Sequence, residues 1–308
     1  VERYVMDTWT SGHGANDRAL VEALCRGSLA LKAEYAFDRD AAGIYRTIRP
    51  LGSSVPRCVT IGHAVGAVIL AQIQARCRGR VAVEQRTLTV DDLRAARAAN
   101  PRLAIVLATG GWCGKYAFST NPAYLKGDGL VFATAFGAAV RDVDEAHVQC
   151  EPTVRTEGMR RGIPVLTTLL YEGARLENDA GTSFLPDARL NKDALSRAIR
   201  AEMARTDAEG VWYDLTDVPE NVLRACRMDV SERRIRVAPA PHSSLGGIVI
   251  DTQCRALGAE GRPVPGLFAC GEVTAGVHGL NRLGGNGGTT ALVFGKIAGE
   301  SAVAFLHS

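Results

Sequence analysis

Several signatures that would assign this chain quickly are missing from it. There is no surplus of charge: 36 Lys plus Arg face 33 Asp plus Glu, a formal net charge of +3 over 308 residues. The arginines are scattered rather than gathered into a basic run, so neither nucleic acid nor an anionic membrane is implied as a partner. Aromatic residues make up only 6%, and there is no internal repeat and no low-complexity tract. The eight cysteines show neither CxxC pairs nor zinc-finger spacing, and the six histidines stand apart, so no metal-ligand pattern is present. The cysteines read as reduced thiols, which suits a cytoplasmic protein. No apolar run approaches the roughly 20 residues that span a bilayer; the longest candidate, 64–73, is interrupted by Gly66 and Gln72. No secretory signal stands at the start, which is Val1 rather than Met.

What is present is α/β punctuation. A Gly, Asn and Asp cluster (Gly12, Gly14, Asn16, Asp17) feeds a helical pattern over 20–32, and a second helix, expected to be more buried, spans 64–76. Residues 80–88 alternate like a strand, and 90–99 read as a helix with Asp91 and Asp92 in its first turn. Residues 103–107 form a short apolar strand that ends in Ala-Thr-Gly-Gly, and a helix over 129–139 follows the Gly127-Asp128-Gly129 turn. Between about 152 and 235 charge rises and glycine thins out around a helix at 192–204, which marks a second, smaller domain. Strands return at 248–251 and 267–270, and a last apolar helix over 289–305 folds back onto the first domain.

The most informative stretch runs from Gly266 to Thr290. An apolar strand enters Gly271-Glu272, which sets a carboxylate at a strand's carboxyl end, where open α/β sheets place their ligands. Glycines at 284, 285, 287 and 288 let backbone approach a flat or anionic ligand, and the following helix turns its positive end toward it. On pattern alone, a plain glycine-rich loop joining strand to helix accounts equally well for these residues.

The run LFACGEVTAGVHGLNRLGGNGGTTALVFGKIAGESA resembles the carboxyl-terminal flavin-binding signature of the fumarate reductase, succinate dehydrogenase and L-aspartate oxidase flavoprotein family. Other blocks agree in order: VLATGG at 106–111, Ser119-Thr-Asn-Pro122 with Gly127-Asp128-Gly129, and VAPAPHSSLGGIVID at 237–251. The resemblance implies an α/β fold, with a Rossmann-like FAD-binding domain (1–151 and 236–308) interrupted by a smaller α+β cap (152–235). It implies FAD as cofactor. Thr109, Gly110, Gly111 and Asp128 would lie along the dinucleotide, Gly271 and Glu272 at the ribityl chain, and Asn286, Gly287, Gly288, Thr289 and Thr290 along the isoalloxazine edge. His242 and Arg282 match the family's substrate histidine and arginine; a guanidinium pairs bidentately with a carboxylate.

Three departures accompany the match. No strand with a GxGxxG turn precedes residue 4, and 4–37 resemble the family segment that follows that unit. Glu151, in Val148-Gln-Cys-Glu-Pro-Thr153, stands where the family has a substrate-binding histidine, and a carboxylate there repels a dicarboxylate. Lys192, in Asn191-Lys192-Asp193, stands at the family's general-acid arginine, and the block at 166–174 lacks the family's Glu and Arg for proton delivery. The expected function is hydride transfer between flavin and a small organic acid or amino acid other than fumarate, with an electron-transfer partner or a further flavin-binding segment supplied from elsewhere. Catalysis would rest on His242, Arg282, Lys192 and Glu151. The alternative is a family member without FAD, acting as a partner subunit or by cofactor-free proton transfer through Glu151 and Lys192.

Overall fold

The computed structural model describes residues 1–61, 65–154, 161–226, 228–229 and 231–308. Two helices open the chain, α1 (Glu2–Ser11) and α2 (Arg18–Glu34). The Asp17 carboxylate accepts from the Ala19 and Leu20 amides, satisfying donors that a helix start leaves unpaired. A small hairpin follows, β1 (Thr47–Ile48) against β2 (Cys58–Val59), then α3 (Val65–Cys77) and α4 (Val90–Ala99). Thr89 and Asp92 close α4 with a capping box.

The sequence reading of this region needs two corrections. Residue 64 lies outside the described residues, and α3 is mostly exposed: it buries only Ile69, and Leu70 remains in solvent. Its apolar residues run around the whole helix, and only the side carrying Val65, Val68, Ile69 and Ile73 is even partly buried. Residues 80–88 form no strand. They alternate correctly, but no neighbouring strand pairs with them, and Val83 is 90% exposed.

Next come β3 (Ile105–Leu107), α5 (Asp128–Ala135), β4 (Val140–Arg141), β5 (Val148–Val154), β6 (Ile163–Pro164) and β7 (Arg175–Glu177). Helix α5 stops short of the expected residue 139 because Gly137 takes φ +87°. The chain continues through α6 (Lys192–Thr206), β8 (Val211–Asp214), α7 (Glu220–Ala225) and β9 (Arg234–Ser244). It closes with β10 (Gly247–Ile248), β11 (Arg255–Leu257), β12 (Pro263–Ala269) and α8 (Asn286–His307).

Beside the two-stranded pairs β1-β2 and β10-β4, two larger sheets organise the described elements. In the first, β12 pairs parallel with β3 and antiparallel with β11. Helices α2 and α8 pack on it through Leu20, Leu24, Val293, Phe294, Ala298 and Ala302. At 22 residues α8 is also long and apolar enough to cross a membrane by length and composition, so 64–73 is not the longest such candidate. Polar residues such as Thr289, Lys296, Glu300 and Ser301 are spread along it, and its apolar side lies in this core.

The second sheet has the order β6-β5-β9-β8-β7, and α6 covers it with the fully buried Leu195 and Ile199. Strands β5 and β9 run across both expected boundaries of the cap, and Leu51 joins its core. Strand β9 pairs with β8 over 234–237 and with β5 over 237–244. Pro239 and Pro241 cost no ladder bond with β5, because the Pro241 carbonyl faces away from it and accepts from the Thr120 amide at 3.1 Å.

Candidate functional site

The two sheets bring their ends to one place. Strand β12 delivers Gly271 and Glu272, and the amino end of α8 delivers Gly287 and Gly288. Strand β9 brings His242 and Ser243. Together with Gly110 after β3 and Arg282 before α8 they line a cavity of about 560 Å3. The glycines are open to it: a Cβ at Gly288 would meet nothing within 4 Å, and one at Gly271 only the Ala291 Cα at 4.0 Å. Gly285 enters α8 in the left-handed region, φ +84°, so the helix begins three residues before the expected 289.

Behind His242 and Arg282 lies a buried ion cluster centred on one oxygen, Glu151 Oε1. Lys192 Nζ donates to it through a short hydrogen bond. His242 Nε2 lies at 3.2 Å, Gln149 Nε2 at 3.3 Å and Arg282 Nη2 at 3.6 Å. Burial alone would raise the Glu151 carboxyl, but Lys192, His242 and Arg282 overcome it and hold the group at about 2. Burial pulls Lys192 below its ordinary value, and Glu151 opposes that pull. As first residue of α6, Lys192 also meets the positive end of its own helix, which acts in the same direction as burial. Burial, with help from Arg282 and Lys192, lowers His242 to about 4 against the opposing pull of Glu151. At neutral pH His242 is an uncharged donor or acceptor, with Thr120 Oγ1 at 2.8 Å from Nδ1.

Arg282 is held by its backbone as well as its side chain. Its amide donates to Gln149 Oε1 at 2.6 Å and its Nη2 to Ser243 Oγ at 3.1 Å. Its Nε is buried and has no partner. An unpaired buried donor costs roughly 1–3 kcal/mol, so this nitrogen favours an incoming acceptor.

The expected site residues therefore separate. His242, Arg282, Lys192 and Glu151 come together, and Gly110, Gly271, Glu272, Gly287 and Gly288 line the cavity beside them. Gly111 stands behind the wall, where a Cβ would strike Ser244 Oγ and Glu272 Oε1 at 2.1 and 2.2 Å. Glu272 Oε1 accepts from the Ser244 amide and hydroxyl at 3.0 and 3.1 Å, which fixes the carboxylate at the rim. Thr109 and Asp128 lie outside the cavity: Asp128 is exposed in the first turn of α5, and Thr109 Oγ1 packs on Gly129.

Asn286, Thr289 and Thr290, at i, i+3 and i+4 of α8, are turned elsewhere, away from the side on which Gly287, Gly288 and Ala291 line the cavity. Asn286 accepts from Tyr4 OH at 2.7 Å and donates to Thr8 Oγ1 at 3.2 Å, pinning α8 to α1. Thr289 bonds the Gly285 carbonyl, and Thr290 faces His278. Sequence reasoning assigned no role to Gln149, Ser243, Thr120, Asn121 or Arg161. Four of these stand inside the matched blocks and could have been found there; Arg161 carried no signal. Asn121 Nδ2 holds the His242 carbonyl at 2.7 Å, and Arg161 Nε holds the Thr120 carbonyl at 3.1 Å.

The FAD binding domain family matches residues 2–287. The L-aspartate oxidase of Caulobacter vibrioides is 33% identical over 346 residues, covering 98% of this chain and 65% of that protein. An uncharacterized FAD-dependent oxidoreductase of Methanocaldococcus jannaschii is 32% identical over 296 residues, covering 89% of the chain and 51% of that protein. The chain thus spans between half and two thirds of the length of these curated relatives. In fold it superposes on a chain of E. coli quinol fumarate reductase with a TM-score of 0.80 at 22% identity, over 100% of this chain and 60% of that one.

Proposed function

We propose, from the premise that the chain belongs to the FAD binding domain family, that it is an FAD-dependent oxidoreductase acting on a small carboxylate other than fumarate. One observation carries the reading: a single cavity has a glycine wall on one side, and Arg282, His242 and Ser243 on the other. Gly271 and Gly288 leave open the space that a side chain would fill, which fits a flat ring system, and the start of α8 favours negative charge beside it. Gly110, Gly271, Glu272, Gly287 and Gly288 would hold the ring and ribityl end of FAD. Among the described residues no strand and GxGxxG turn offers the pyrophosphate an equivalent cradle. Bound there, FAD supplies the hydride donor or acceptor.

The chain's own residues do the rest. Arg282, with its unpaired Nε, binds and orients the substrate carboxylate; Ser243 holds its guanidinium and Gln149 its backbone amide. Thr120 and Asn121 fix the His242 ring and backbone. Lys192 Nζ holds a proton one hydrogen bond from Glu151 Oε1, which in turn lies beside His242 Nε2 on the cavity wall. This gives a buried route for the proton that accompanies the hydride.

The test is a visible absorbance spectrum of the purified chain before and after incubation with FAD, followed by anaerobic addition of small organic and amino acids. Uptake of flavin and its bleaching by one of these acids is expected, with Arg282→Ala keeping uptake and losing the bleaching. A chain that stays colourless after incubation overturns the reading in favour of cofactor-free chemistry at Glu151 and Lys192.

A further inference from the structure

The ion cluster has a charge balance that bears on which acid the cavity takes. Three cations line the cavity or its floor, Arg161, Lys192 and Arg282, and two carboxylates, Glu151 and Glu272, oppose them. His242 adds a ring that is neutral above about pH 4. The surplus is one positive charge. Glu151 moreover occupies donors that an incoming carboxylate would need: it accepts from Lys192 Nζ and lies beside Arg282 Nη2, His242 Nε2 and Gln149 Nε2. Beyond these, Arg282 Nε is buried and unpartnered, and Arg161 stands on the cavity lining.

We infer that Glu151 is a built-in counterpart of a second substrate carboxylate, so that the site selects acids bearing a single carboxylate and rejects dicarboxylates. The inference rests on the reading of this cavity as a carboxylate site, and it names the class within it. A second carboxylate brought beside Glu151 would place two negative charges against one surplus positive charge, and like charges a few ångströms apart repel even at an effective dielectric of about 20. A methyl group at the same position meets no such repulsion. The Glu151 side chain is thus a specificity-determining residue: it acts on the ligand by charge.

A matched pair of probes isolates this term. Crotonate and fumarate share one carbon skeleton and differ by a methyl group in place of a carboxylate. Their dissociation constants are measured by titration calorimetry at neutral pH, on the chain with and without prior FAD incubation. Crotonate is expected to bind at least about tenfold tighter than fumarate, and Glu151→Gln, which keeps the shape and removes the charge, is expected to reverse the order. Fumarate binding as tightly as crotonate to the unaltered chain overturns the inference, as does binding of neither acid; both results are read without any variant. An unchanged ratio in a folded Glu151→Gln protein overturns it as well. Crotonate preference in a chain that takes up no flavin removes the redox reading and leaves the selectivity standing, whereas flavin uptake with fumarate preference does the reverse.

Discussion

Replacing Lys192 by Met tests the ion cluster as a unit. The substitution keeps most of the side-chain volume against α6 and removes the cation closest to Glu151. The carboxyl is held at about 2 in the fold against about 4.3 for an unperturbed Glu, a difference that contributes about 3 kcal/mol of stability at neutral pH. The sign follows from the depressed value. That contribution is fully present above the unfolded-state pKa and is lost as pH falls toward the folded one, so acidification from about pH 5 to pH 2 weakens the unaltered protein. In Lys192→Met, burial dominates, the carboxyl titrates near or above its ordinary value, and this acid limb disappears. Urea unfolding followed by circular dichroism at pH 7 and pH 3 measures both arms. The variant is expected to lose about 3 kcal/mol at pH 7, consistent with breaking a buried pair, and about half of the pH-dependent difference is expected to remain at pH 3. Lys192→Arg, which retains a cation, keeps the acid limb. A difference between Lys192→Met and the unaltered protein that is the same at both pH values refutes the assignment of Lys192 as the group that holds Glu151 ionised.

Two further substitutions probe the cavity wall and the helix behind it. Gly288→Leu places a side chain in open space and relieves a helical glycine of about 0.5–1 kcal/mol; unfolding should show unchanged or raised stability, and the FAD spectrum should show lost uptake. Asn286→Ala removes hydrogen bonds to Tyr4 and Thr8 and should cost about 1–3 kcal/mol in urea unfolding, with FAD uptake at low temperature retained because the side chain does not face the cavity.

Much of this architecture can be read from residue order. Helices α2, α4 and α6 announce themselves by apolar spacing, and Asp17 and Thr89 mark two of their starts. The β12 turn into Gly271-Glu272 is equally legible. The failures have physical causes. The stretch 80–88 has strand periodicity but no partner, and pairing is a property of the fold rather than of the segment. Strand β9 contains two prolines, which count against a central strand until it is known that their faces point away from β5. At the site, the four ionisable side chains could be named one by one, but no spacing reveals that three of them converge on a single Glu151 oxygen. Nor does a motif match say which side of α8 faces the cavity: Asn286 and Thr290 fall on the inner side, against Tyr4, Thr8 and His278, and Gly287 and Gly288 on the other.

Strand β9 has one more consequence. Its first residues are stitched to β8 within the core that α6 covers, and its last ones, His242 to Ser244, touch Glu151, Arg282 and Glu272. Eleven residues of extended chain with partners along their length make a stiff crossbar between the two halves of the molecule. The sheet cannot tilt without carrying the backbone of His242 with it. Glu151 on β5 rides on the same sheet as His242, so any tightening of one half over the other would be felt at the Glu151 oxygen through its spacing to Arg282.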